Sequence, residues 1–564
     1  MTLLEHAETS VDRVDPVTVE IIRNALTSAA NDMNATLIRS AYSPILYEGG
    51  DCVVALLDTD HQVLGQSAGL PLFLGNLETC SKAVEEKYGK EVWQPDDVWI
   101  LNDSYLGGTH LNDVTIFAPV FVEGEHVGFS ATRAHWMDMG SKDVGGSMDS
   151  VDIFQEGLRM GPVKLHEAGR ETFVVDIIST NVRFPYQTIG DMNAMIAALR
   201  MGTTRMQELV ARYGIDTLES ARDEIFRQTE ALERETVSAI PDGVYEAEGV
   251  LDNDGIDLDA PVPIRLRVTV DGDTIDFDVR DSADQTRGPI NCGVAQAVSA
   301  LRVGYKLLIS PDTNSNGGSF RPLSTQVREG SVLGAVAPAA CQWYFSHLGL
   351  LIDLVSKALA PAIPDRVVAA SHGDSMIINT AGTDPRTGRD WVTMEATLGG
   401  WGAWDGSDGE SALINSVNGS IKDLPIEMVE TKYPFRIRAY RIEQDTGAPG
   451  RWRGGNGATR EYEFLSDCVI GLWFERSRTR PWGLFGGETG SGPEVVINPG
   501  RGDEERMLKV NARPMKAGDV IRLTASGGGG YGQPAERAPE AVAADIENGY
   551  ISRAHAAEHY GYTG

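Results

Sequence analysis

Between Asn102 and Gly140 the sequence twice places an imidazole three residues before a carboxylate: His110 with Asp113, and His135 with Asp138. Imidazole nitrogen and carboxylate oxygen form the mixed donor set that suits Zn, Mn or Fe. The pairs are separated by two apolar runs, VTIFAPVF and HVGFSATRAH, around Glu123-Gly124-Glu125. Such runs around a short glycine-containing break predict an antiparallel hairpin. A turn centred on Gly124 sets residue 135 across from residue 113, so His110, Asp113 and His135 are expected to converge at one end. Gly107-Gly108-Thr109, just before His110, lets the backbone turn tightly. Two carboxylates compete for a fourth place: Asp51, which opens the run DCVVALLD, and Asp138, which could instead orient a histidine ring. Trp136 is expected in the core, with shielding of the site as the alternative.

The elements that must position these residues follow from periodicity. Asp15-Pro16 precedes apolar residues at 19, 22, 26, 29, 33 and 37, which predicts a long amphipathic helix capped by Asp15 and ended by Ser43-Pro44. Residues 51–67 read as a hairpin, 74–88 as a helix, and VWILND after Asp97 as the strand that delivers the candidate site. A helical region covers about 186–239 and stops at Pro241-Asp242-Gly243. Alternation over 243–285, with Asp-Gly-Asp at 271–273, predicts an antiparallel sheet. A Gly-Pro loop and a buried helix are expected over 287–309, and another helix over 347–364. Residues 371–420 are too rich in glycine for regular structure throughout, and short strands dominate from 432, with a last helix near 536–550. The expected class is α+β: a multidomain chain of mixed and antiparallel sheets with packed helices and a β-rich C-terminal part. The expected domains are 1–242 with the metal site and long helices, 243–430 as a central α+β unit, and 431–564 as a β-rich unit.

A chain of 564 residues exceeds one ordinary core. Eighty-one acidic against 49 basic residues give a net charge of −32, a field that repels phosphate backbones and argues against nucleic acid. The stretch MTLLEHAETSVDRVD lacks the basic start and apolar centre of a signal peptide, and no apolar run is long enough to span a membrane. The five cysteines are scattered, without CxxC, which fits a reduced cytoplasmic compartment and excludes thiolate zinc sites.

Other chemistries find little support. GGGGYGQP and RGGNGATR lack the lysine of a phosphate-binding loop, so nucleotide chemistry is expected on another chain. The run Ser371-His372-Gly373-Asp374 does not form the GxSxG of a serine hydrolase, although His372 and Asp374 are a candidate catalytic pair. Arg321, Arg451, Arg453 and Arg460 are expected in ion pairs or on solvated faces.

The segment NDSYLGGTHLNDV resembles the NDPYxGGTHLxDV signature of the hydantoinase B / oxoprolinase / acetone carboxylase alpha-type family. RAHWMDMG, EGLRMGPVKL, RGPIN, GGSFRPL, GGWGA, PGRWRGGNG and GGGGYGQPAERAPEAV follow in that family's order, from about residue 15 to 553. The resemblance implies a metal site of Asp51, His110, Asp113 and His135, which selects Asp51 as fourth ligand and leaves Asp138 for proton transfer or for orienting a ligand. It implies a hydantoinase A-type partner that binds ATP and phosphorylates the substrate carbonyl, in a heterotetramer or larger. The implied activity is ATP-dependent hydrolysis of a cyclic amide such as a hydantoin, lactam or 5-oxoproline; ketone carboxylation is the alternative. Trp136 and Phe73 stand where the family's motifs carry histidine, which makes the pocket less polar.

Overall fold

The computed structural model describes residues 14–564; the polar stretch read above for a leader lies mostly outside them. The helix Pro16–Ser40 forms as its periodicity requires. Asp15 accepts from the N–H groups of Val17 and Thr18, each at 3.1 Å, and Pro16 takes the first helical position. Val19, Ile22, Leu26, Ala29, Met33 and Leu37 are all buried.

This helix covers a seven-stranded antiparallel sheet that carries the candidate site. Its strands are β1 (Cys52–Leu57), β2 (Val63–Gln66), β3 (Val98–Leu101), β4 (Asp113–Val122), β5 (Glu125–His135), β6 (Val163–Glu167) and β7 (Arg170–Glu171), in the order β2-β1-β5-β4-β3-β6-β7. The sheet is buried on both sides, so β1 reads as an unbroken apolar run. Cys52, Val54 and Leu56 join the core under the helices Pro16–Ser40 and Pro185–Tyr213, whereas Val53, Ala55 and Leu57 face Phe73, Leu77, Val84 and Trp93. The β4–β5 connection is a two-residue turn in which Glu123 and Gly124 have φ of 51° and 88°, matching the strand twist.

The helical region divides into Pro185–Tyr213 and Ile215–Ser238 at Gly214, and a further helix, Phe173–Asn181, was not expected. The central sheet contains β8 (Gly243–Leu251), β9 (Val262–Asp271), β10 (Thr274–Asp278) and β11 (Leu323–Gln326). It is antiparallel except for the parallel β10–β11 pair. The helices Val294–Ile309 and Phe345–Leu359 share its apolar core. A third sheet combines Ile377–Asp384 and Arg389–Ala396 with Cys468–Trp473 and Lys509–Met515, strands from either side of residue 430. A fourth is built from Phe435–Ile442, Ala458–Phe464, Val520–Thr524, Glu494–Ile497 and Glu505–Arg506. The C-terminal part is thus β-rich, closed by the helices Pro539–Glu547 and Arg553–Tyr560.

The glycine motifs GGWGA, RGGNG and GGGGYG converge although they lie far apart in sequence. A Cβ on Gly400 would come within 1.9 Å of the Gly455 carbonyl oxygen, and one on Gly528 within 1.9 Å of the Trp401 oxygen. Main chain packs directly on main chain here, which only glycine permits. The N–H groups of Gly455, Gly528 and Gly529 donate to the carbonyls of Trp401, Gly455 and Ala370, so they are spent within the fold rather than turned toward a phosphate. All five cysteines are unpaired and buried, and no helix among the described residues is long and apolar enough to cross a membrane.

Candidate metal centre

Strand register builds the site. Asp113 is the first residue of β4, His135 the last of β5, and the two are direct partners. On the other side of β5, Cys52 pairs with Ala134, and the His135 N–H donates to the Asp51 carbonyl at 3.1 Å. Asp51, His135 and Asp113 therefore form a row across three adjacent strands. Side chains alternate along a strand, so all three share the face of Val53, Phe117 and Phe129. Trp136, one residue on, lies in the opposite core under the helices and does not shield the site.

His110 enters from the turn before β4. Gly107 has φ of 101°, and a Cβ on Gly108 would strike the Asp103 and Asn102 carbonyl oxygens at 2.6 and 2.7 Å. His110 Nε2 lies 2.9 Å from Asp113 Oδ1 and 3.2 Å from His135 Nδ1, and His135 Nδ1 lies 3.0 Å from the same oxygen. One ligand atom from each of these three buried residues lies within 4.8 Å of the others. The other Asp113 oxygen accepts the hydroxyls of Thr109 at 2.5 Å and Tyr344 at 3.0 Å. Burial opposes ionisation of Asp113, but His110 and His135 outweigh it and hold the carboxyl well below its ordinary range.

Asp51 is buried beside this trio but stands outside its 4.8 Å limit. Burial raises its carboxyl, with His135 opposing and the Asp113 carboxylate adding to the rise. Asp51 Oδ1 and His135 Nε2 are both buried without a hydrogen-bond partner. A divalent cation fits this donor set: two imidazoles and two carboxylates buried together leave negative charge that costs several kcal/mol unless it is compensated.

Asp138 is not part of the cluster. Its Oδ1 lies 2.7 Å from Arg183 Nη1, and Oδ2 accepts the N–H groups of Arg183 at 2.7 Å and Gly140 at 3.2 Å. His372 is buried elsewhere with Nδ1 at 3.3 Å from the Gly400 oxygen, and Asp374 accepts from Ser346, Met376 and Glu475, so the two do not pair. Arg321, Arg453 and Arg460 engage Glu230, Asp545 and Glu395. Phe73 lies against the guanidinium of Arg133, 5.6 Å from ring centroid to Cζ.

Sequence reasoning missed Gln342, Tyr344, Glu156 and Arg133. Gln342 Nε2 lies 3.0 Å from His110 Nδ1. Arg133 is fully buried and bonds only neutral groups: Thr115, Asn76, Cys80 and the Gly107 carbonyl. It thereby ties the glycine turn before His110 to the strand that carries His135. A cavity of about 520 Å³, bounded by Gly69, Arg302, Phe320 and Trp401, is lined by none of the site residues.

Comparison with known proteins places the chain in a family. The hydantoinase B/oxoprolinase family profile matches residues 15–534. The chain belongs to that family. Among its relatives is a chain of Pseudomonas sp. strain NS671 named as one subunit of a D-/L-hydantoinase, 33% identical over 98% of this chain and 96% of the other. The crystal structure of an ATP-dependent caprolactamase from Pseudomonas jessenii superposes with a TM-score of 0.91 at 28% identity, covering 98% and 97% of the two chains. A nucleotide-free acetone carboxylase shares the fold, with a TM-score of 0.87 at 20% identity over 97% of this chain and 79% of the other.

Proposed function

We propose that this family member is the metal-holding subunit of an ATP-dependent enzyme that hydrolyses the C–N bond of a cyclic amide, a hydantoin, lactam or 5-oxoproline. The observation that carries this reading is the convergence of His110 Nε2, His135 Nδ1 and Asp113 Oδ1 at one buried point. His110, Asp113 and His135 would hold Zn, Mn or Fe, with Asp51 as fourth ligand. When bound, such a metal supplies a Lewis acid that lowers the pKa of water and polarises a carbonyl.

The chain's own residues orient and insulate that chemistry. Thr109 and Tyr344 hold one oxygen of Asp113, which leaves the other toward the histidines. Asp51 Oδ1 has no partner and is free to coordinate or to take a proton. Asp138, engaged by Arg183, shapes the loop after β5 instead of transferring protons. The activating step belongs to a partner of the hydantoinase A type, in a heterotetramer or larger: it would use ATP to phosphorylate the amide carbonyl oxygen. Water would then add to the carbonyl carbon, the ring nitrogen would take a proton and leave as the C–N bond breaks, and a second water would hydrolyse the resulting acyl phosphate to carboxylate and phosphate. Support for a partner comes from the hydantoinase relative, which is named as one subunit of its enzyme, and from a chain whose glycine motifs spend their N–H groups internally.

The test is purification together with a hydantoinase A-type chain. ATP turnover is then measured with hydantoins, lactams, 5-oxoproline and, in the presence of bicarbonate, ketones. Ring opening coupled to ATP and abolished by His110→Ala is the expected result. Bicarbonate-dependent acid formation from a ketone would replace the hydrolase reading with a carboxylase.

A further inference from the structure

The segment 339–345, which leads into the helix Phe345–Leu359, packs on the candidate metal centre. Buried Glu156 clamps it: its two oxygens accept the Cys341 N–H, each at 3.0 Å, and Oε1 also accepts the Gln342 N–H at 2.9 Å and the Ser150 hydroxyl at 2.7 Å. Just beyond this clamp the side chains of Gln342 and Tyr344 reach His110 and Asp113. We propose that Gln342 and Tyr344 are positioning residues for the metal centre and that Glu156 holds the segment presenting both. The proposal rests on the metal reading above.

Tyr344 acts on Asp113. Its hydroxyl and that of Thr109 both occupy Oδ2, so Asp113 offers a single oxygen, Oδ1, on the side of the histidines. Gln342 acts on His110. A neutral imidazole that gives its Nε2 lone pair to a cation carries its proton on Nδ1 and needs an acceptor there. Gln342 Nε2 now sits 3.0 Å from that Nδ1, while Gln342 Oε1 is buried with no partner. A half-turn of the amide places Oε1 against Nδ1–H, at the loss of the 3.3 Å bond from Gln342 Nε2 to Asn112 Oδ1. Gln342 thus has one amide orientation for the metal-free ring and the other for the ligating ring.

The test measures Zn²⁺ affinity of the full chain by competition with a chromophoric chelator, together with the visible spectrum of the Co²⁺-loaded protein. Metal-free unfolding curves check that each variant folds. Gln342→Leu is expected to weaken Zn²⁺ binding about 10- to 100-fold, the range for lost support behind a ligating histidine. Gln342→Glu, whose carboxylate can only accept, is expected to restore most of the loss. Tyr344→Phe is expected to shift the Co²⁺ bands, and Glu156→Ala to weaken Zn²⁺ binding as Gln342→Leu does. Wild-type affinity and spectrum in Gln342→Leu and Tyr344→Phe, or a Gln342→Glu no better than Gln342→Leu, would overturn the proposal. A wild-type chain that binds neither Zn²⁺ nor Co²⁺ would overturn the underlying metal reading instead.

Discussion

Arg183 closes on Asp138 with Nη1 2.7 Å from Oδ1 and its own backbone N–H 2.7 Å from Oδ2. The Asp138 side chain is fully buried, whereas Arg183 is partly open to solvent. The pair fastens the loop after β5 to the segment leading into the Pro185–Tyr213 helix. Asp138→Asn should cost about 2 kcal/mol, the scale of a lost hydrogen-bonded charge in a buried place. Zn²⁺ affinity should stay at the wild-type value. Urea unfolding and metal titration of the same preparation check both halves.

Arg133 makes a second structural prediction. Arg133→Met removes the only donor to the buried Asn76 Oδ1 and leaves the Gly107 carbonyl with just the weak Cys80 thiol. The expected loss is about 2 kcal/mol, from these under-satisfied acceptors rather than a lost ion pair. Arg133→Lys should recover little, because a single ammonium lacks the planar fork that reaches both sides. Calorimetric unfolding of the metal-free protein measures each.

The hairpin was readable because its evidence is local. Two β-rich runs, a glycine break and one count across the turn gave the Asp113–His135 pairing. Asp51 was ambiguous because its neighbour in space is β5, about 80 residues later, and composition alone cannot pair β1 with it. Asp138 shows where the symmetry of the two pairs ends: His110-x-x-Asp113 runs into the start of a strand, whereas His135-x-x-Asp138 runs off the end of one, where the chain turns away to Arg183. Gln342 and Tyr344 lie 232 and 231 residues from their partners. Nothing in QWYF marks them, since their role exists only once the central part packs on the first sheet. Likewise the glycine motifs resemble ligand loops in isolation and become packing contacts only when all three meet.

Metal occupancy should register as stability. A ligand that binds only the folded chain adds about 2.7 kcal/mol at 100 times its dissociation constant. Zn²⁺ at that excess should raise the unfolding midpoint of the wild-type chain and leave His135→Ala unmoved. Thermal scans with and without Zn²⁺, after chelator treatment, test it.

His347 predicts an acid limb. It is fully buried, neither ring nitrogen has a partner, and burial depresses its pKa to about 3. The unfolded chain binds a proton near 6.5, so between these values U holds more protons than N and stability falls as pH falls. The slope is about 1.4 kcal/mol per pH unit. His347→Leu removes this dependence without removing a hydrogen bond. The difference in stability between variant and wild type should therefore grow from pH 6.5 to pH 4, as measured by denaturant unfolding at each pH.

The row of Asp51, His135 and Asp113 across three strands has a consequence for quality control. Slipping β5 by one residue against its neighbours would turn His135 to the helix-covered face and bring Trp136 toward the carboxylates. A chain paired in that way has no degraded version of the centre, because alternation is all or none. On the proposed metal reading, Zn²⁺ uptake is then a yes-or-no report on whether the first sheet has assembled in register, readable before any substrate is known.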